Sequence, residues 1–179
     1  MRLFSEAVRC FLDDHHLPEV NIFGYSMGGY VALGLAGERP ERIRQVVTLG
    51  TKLDWTPEVA AGMNRMFDPQ KIAAKVPQFG QMLAQAHAPA DWKEVCQYTA
   101  RFLLGLGDGQ GLSDEVFARI TCPVTIGWGE QDQVVTAEES RRIAGQIALG
   151  KFQALEGFKH SFEQVDTARL AQFLIGEFA

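Results

Sequence analysis

Apolar positions along the chain switch between two periods, and the switches mark its elements. Leu3, Phe4, Ala7, Val8, Phe11 and Leu12 recur at helical spacing, which predicts an opening amphipathic helix stopped by Leu17-Pro18. The apolar run Val20 to Phe23 reads as a strand, and a small-residue helix from Met27 to Gly37 follows until Arg39-Pro40 breaks it. Gln45-Val46-Val47-Thr48-Leu49 reads as a second buried strand. Beyond Cys122-Pro123 the pattern resumes with a strand, Val124 to Trp128, and a helix capped by Thr136 with Glu139. A strand from Lys151 to Leu155 and a final helix from about Asp166 complete it. Such alternation implies a parallel sheet with helices on both faces, in which ligands bind beyond the carboxyl ends of the strands.

Between Thr51 and about Ile120 the strand signals vanish. Asp91 with Glu94 three residues on predicts a helix amino cap, followed by Trp92, Val95, Cys96, Thr99, Phe102 and Leu103 at helical period. Val76, Phe79, Met82 and Leu83 predict another helix, interrupted near Pro77. A helical insertion between strands is a cap or lid, so the expected organisation is a core of residues 1–50 and 121–179 with a cap of residues 51–120. Trp55, Met63, Met66, Phe67, Phe79 and Trp92 are candidates to line an acyl pocket, although plain packing is the more frequent role for such residues. Gly105, Gly107, Gly109 and Gly111 read as a flexible return or lid hinge; they follow a helix rather than a strand, unlike a dinucleotide-binding fingerprint.

Composition narrows the function classes. A chain of 179 residues, 46% hydrophobic, can bury a sizeable core in one soluble domain. Its net charge of −5 and the lack of a basic cluster argue against nucleic-acid partners, because there is no surface to release counterions from phosphate. Cys10, Cys96 and Cys122 are odd in number and widely spaced, which fits buried free thiols in a reducing cytoplasm. The amino-terminal stretch has no uninterrupted apolar core, and no segment is long enough to cross a bilayer, so no membrane association is expected. No residue pattern points to a metal or a cofactor.

The chemistry concentrates at Gly24-Tyr25-Ser26-Met27-Gly28. A strand that must turn into a helix within a few residues holds Ser26 in a strained conformation with its hydroxyl exposed at the carboxyl edge of the sheet. Glycines at 24 and 28 are expected because side chains there would collide in so sharp a turn. Among four histidines, His15 and His16 precede the serine and His87 falls in the helical middle region, leaving His160 as the general-base candidate. The turn Gly129-Glu130-Gln131-Asp132 offers Asp132 as the acid, with Glu130 in reserve. His160 would take the hydroxyl proton as Ser26 attacks, and Asp132 would hold the ring's tautomer. Met27 would donate its backbone N–H to the developing oxyanion, and Tyr25 would touch substrate from the other side of the nucleophile.

These three segments, Gly24 to Gly29, Pro123 to Asp132 and Gly157 to His160, resemble the α/β-hydrolase-fold serine hydrolases, in the family's order and across most of the chain. The resemblance implies a partial α/β-hydrolase fold: a parallel sheet flanked by helices, with a helical cap insertion. It also selects Asp132 over Glu130, because in the family the acid follows the strand after the cap. It implies hydrolysis of small to medium carboxylic esters or thioesters through an acyl-enzyme, with carbon–carbon cleavage and perhydrolysis as related chemistries. Haloalkane dehalogenase and epoxide hydrolase chemistry would instead require aspartate at position 26.

The family's second oxyanion donor, usually marked by a His-Gly sequence in a loop after an early strand, has no counterpart here, and four strands can be read where the family has eight. Losing one such donor costs about 2.7 to 4 kcal/mol in the barrier. A noncatalytic hydrolase fragment or interaction module is therefore the alternative function. On the same reading, the strand of residues 20–24 is an edge with a composition suited to burial, and homodimerisation or aggregation through it is expected.

Overall fold

The computed structural model describes residues 2–179, and the chain divides into two compact units, Met1–Leu53 with Leu112–Ala179 and Asp54–Gly111. In the first, helix α1 (Arg2–Asp14) leads to strand β1 (Val20–Tyr25), helix α2 (Met27–Glu38) and strand β2 (Ile43–Leu49). In the second, four helices follow one another: α3 (Pro57–Asn64), α4 (Pro69–Lys75), α5 (Pro77–His87) and α6 (Trp92–Gly105). The first unit then resumes with α7 (Asp114–Ala118), β3 (Val124–Gly129), α8 (Ala137–Gln146), β4 (Gly150–Leu155) and α9 (Thr167–Phe178).

The four strands form one wholly parallel sheet in the order β1-β2-β3-β4. This is the architecture of a partial α/β-hydrolase fold. The inner strands are apolar on both faces, as a sheet covered by helices requires: Val46, Val47, Val124 and Ile126 are all buried. Helix α2 is apolar almost all round and buries Gly29 through Gly37 without a break, the signature of a central helix. Helix α9 covers the sheet from a chain end, where Glu177 accepts a hydrogen bond from Thr125 and pairs with Lys151.

Strand β1 is an end strand, as expected, and its outer edge has no partner among the described residues, so despite its apolar composition only Gly24 in it is buried. Several local expectations are corrected. Pro77 does not interrupt a helix; it starts α5, where its missing N–H costs nothing, and so separates α5 from α4. The glycine-rich stretch after α6 is not a loose return. Residues 106–110 form one tight turn that leaves helical geometry at Asp108 and at Gly109 (φ +83°), with Leu106 and Gly107 buried and no room for a side chain on Gly107 beside Ala60. Cys10 is exposed, unlike Cys96 and Cys122, because it lies on the outer face of α1. Met66 and Phe79 are exposed rather than packed. No helix among the described residues is long and apolar enough to cross a membrane.

Candidate active site

Ser26 sits between β1 and α2 with φ 50° and ψ −119°, a positive-φ conformation that a residue with a side chain adopts only under constraint. Three contacts supply the constraint. The Ser26 N–H donates to Leu49 O at 2.9 Å, and Ser26 O accepts from Gly29 N at 3.1 Å and Tyr30 N at 3.4 Å. The turn closes because Gly24 has no side chain: a Cβ there would lie 2.4 Å from Gly29 Cα and 2.6 Å from Gly28 O. The second steric requirement falls on Gly29, packed against Thr51 and Thr48, and not on Gly28 as the spacing predicted, since the space beside Gly28 is open. The Ser26 side chain does not cap α2, so its hydroxyl is free for another partner.

That partner is His160. Ser26 Oγ lies 3.4 Å from His160 Nε2, and His160 Nδ1 lies 2.9 Å from Asp132 Oδ2. Bringing these together demands a long reach, because β1 and β4 are three strand spacings apart, about 14 Å. The loop after β4 covers it. Gly157, at φ +76°, turns the chain back, and Phe158 is buried with its carbonyl accepting from Gln131 N at 2.9 Å, which ties the histidine loop to the acid loop.

The acid loop is equally determined. Asp132 N–H donates to Gly129 O at 2.9 Å, and Asp132 Oδ1 accepts from the N–H groups of Val134 at 2.8 Å and Val135 at 2.9 Å. Trp128 Nε1 donates to Val135 O at 2.8 Å and fixes the far side of the turn. The Asp132 side chain is 1% exposed. Burial pushes its carboxyl upward, but hydrogen bonds from His160, Val135 and Val134 together outweigh burial and hold it below the ordinary range. Glu130, the reserve candidate, is exposed at the loop's tip, so the structure places Asp132 and not Glu130 beside the imidazole.

Tyr25 and Met27 flank Ser26. The Tyr25 ring packs 6.0 Å from the His160 ring and 5.0 Å from that of Phe162. Burial, then the charges of Asp132 and Glu163, push its phenol up to about 12. Met27 opens α2 with its side chain exposed, placing its N–H in the helix's first turn, where the dipole favours negative charge. An open cleft of about 630 Å³ runs between the acid and histidine loops, lined by Gln131, Asp132, Gln133, Lys159, His160 and Ser161.

Two further residues at the site escaped the sequence reading. Gly50, at φ +63°, directly follows β2 and lies against the Asp132–His160 pair: a Cβ there would lie 3.2 Å from Asp132 Oδ2 and 3.4 Å from His160 Nδ1. A glycine closing an apolar strand was the available signal. Phe162, two residues after His160, gave none. Among the described residues, no group of three or more metal-ligating side chains is placed to hold a metal ion.

A strained serine on a strand-to-helix turn, at the carboxyl edge of a parallel sheet and within reach of an imidazole, is the geometry of the sharp elbow of the α/β-hydrolase fold. The chain belongs to the alpha/beta hydrolase fold family, whose model matches residues 1–92. Among solved structures it is similar to a thermophilic esterase from Thermogutta terrifontis, with a TM-score of 0.70 and 19% identity over 97% of this chain and 70% of that one. It is also similar to the meta-cleavage product hydrolase of Pseudomonas fluorescens IP01, with a TM-score of 0.71 and 18% identity over 97% and 70%. A structure from a study of carboxylesterases of Nitrososphaera gargenis gives a TM-score of 0.72 and 15% identity over 99% and 71%. No curated protein matches the chain.

Proposed function

We propose that the protein is a serine hydrolase that cleaves small to medium carboxylic esters or thioesters through an acyl-enzyme, with Ser26 as nucleophile, His160 as general base and acid, and Asp132 as its orienting carboxylate. The observation that carries this reading is the pair of contacts at opposite ring nitrogens, Ser26 Oγ at 3.4 Å from Nε2 and Asp132 Oδ2 at 2.9 Å from Nδ1. With Nδ1–H donated to Asp132, Nε2 carries the lone pair that accepts the serine proton as attack proceeds. The imidazolium so formed faces a carboxylate that stays ionised at neutral pH, then returns the proton to the leaving alcohol or thiol. Oxyanion charge is met by the Met27 N–H at the start of α2.

Similarity to a thermophilic esterase and to a meta-cleavage product hydrolase supports hydrolase chemistry in general, and the serine–histidine geometry supports attack by Ser26 on an acyl carbon. The decisive test uses a fluorophosphonate probe and p-nitrophenyl esters on the wild type and Ser26→Ala. Labelling and turnover that both vanish in the variant support the reading. A wild type that is neither labelled nor active overturns it, and labelling without turnover favours the noncatalytic alternative.

A further inference from the structure

Glu139 lies on the first turn of α8, is 3% exposed, and takes no part in the chemistry proposed above. A carboxylate that deeply buried is costly unless its oxygens are occupied, and here they collect donors from two distant parts of the chain. Oε1 accepts from Leu53 N at 2.9 Å. Oε2 accepts from Lys52 Nζ, from Thr136 Oγ1 at 3.2 Å and from Thr136 N at 3.4 Å. Lys52 is itself largely buried, with its side chain 14% exposed.

The two segments joined at Glu139 are those that enclose the acid–base pair. Lys52 and Leu53 continue the strand exit that begins at Gly50, whose α-carbon backs onto Asp132 Oδ2 and His160 Nδ1. Thr136 directly follows Val134 and Val135, whose N–H groups hold Asp132 Oδ1. One wall and the anchoring loop therefore share a single carboxylate, although 86 residues separate Leu53 from Glu139. We propose that Glu139, paired with Lys52, is a positioning residue that fixes the spacing between the Gly50 wall and the Asp132 loop and so sets the Asp132–His160 hydrogen bond. This deepens the catalytic reading and rests on it for its effect on rate, but not for its effect on the hydrogen bond.

Glu139→Gln tests it, because the amide nitrogen would confront Lys52 and Thr136 with a donor where they need an acceptor. Two readouts are made on the full chain: the rate constant for fluorophosphonate labelling, and the downfield proton NMR signal of the His160 Nδ1–H, assigned by its loss in His160→Gln. Asp166→Ala, which removes the cap of α9, serves as a destabilised control. The expected result is labelling roughly 10- to 100-fold slower in Glu139→Gln, the scale of a small misplacement of reacting groups, with the Nδ1–H signal broadened or lost and both readouts unchanged in Asp166→Ala. Lys52→Met moves both in the same direction and replaces Glu139→Gln if that variant does not fold. A normal Nδ1–H signal in the Glu139 and Lys52 variants overturns the proposal, as does a wild type lacking that signal or an equal loss in Asp166→Ala. A wild type that is never labelled, but whose Nδ1–H signal still depends on Glu139, sinks the hydrolase reading alone and supports the positioning role.

Discussion

Replacing Gly50 by alanine separates the cost of backbone conformation from the cost of crowding the site. At φ +63° an alanine is strained relative to glycine by about 1 to 2 kcal/mol, whatever surrounds it. Its methyl group would also stand 3.2 Å from Asp132 Oδ2 and 3.4 Å from His160 Nδ1, inside the roughly 3.5 to 4.0 Å at which non-bonded heavy atoms are most stable. The pair must then shift by a few tenths of an ångström. Gly109 supplies the comparison, because it has φ +83° and a methyl group added there would meet nothing within 4 Å. Urea unfolding should show both variants losing about 1 to 2 kcal/mol, whereas only Gly50→Ala should react more slowly with the fluorophosphonate, by roughly tenfold. Equal labelling rates in Gly50→Ala and Gly109→Ala would refute the claim that the Gly50 α-carbon is part of the site's geometry.

Asp132→Asn keeps an oxygen for the Val134 and Val135 N–H groups but turns a donor toward Nδ1, forcing the wrong tautomer; ester turnover should fall about 10⁴-fold, as the same exchange does in a serine protease. The depressed carboxyl of Asp132 adds stability that is complete above its ordinary range and is lost as pH falls through its folded value. Denaturant midpoints followed from pH 7 downward should therefore decline more steeply in the wild type than in Asp132→Asn. Thr136→Ala removes half of the capping box on α8 and should cost about 1 kcal/mol in chemical unfolding.

What could be read from the chain alone was what is encoded locally. The elbow announces itself because strand, serine and helix are contiguous, and the caps of α6, α8 and α9 at Asp91, Thr136 and Asp166 stand where polar residues precede helical periods. The choice of Asp132 over Glu130 was settled through the resemblance, since both lie in one turn and direction in space is not a sequence property. The placement of Gly50 and the bonds of Glu139 to Lys52 and Leu53 were invisible for a stronger reason. Their roles exist only where segments more than 80 residues apart meet, and no local period reports such a meeting. The glycines after α6 misled because composition suggests freedom, while the close approach of Gly107 to Ala60 depends on packing.

Ser26, Asp132 and His160 follow the ends of β1, β3 and β4, and the glycine after β2 backs onto Asp132 and His160, so on the proposed reading each of the four strands holds one part of a single constellation. Reactivity at Ser26 is consequently a gauge of the sheet's integrity. Fraying of any one strand would silence the serine before the bulk of the helical signal is lost. Heat or denaturant should thus extinguish covalent labelling at or below the midpoint seen by circular dichroism, and never above it.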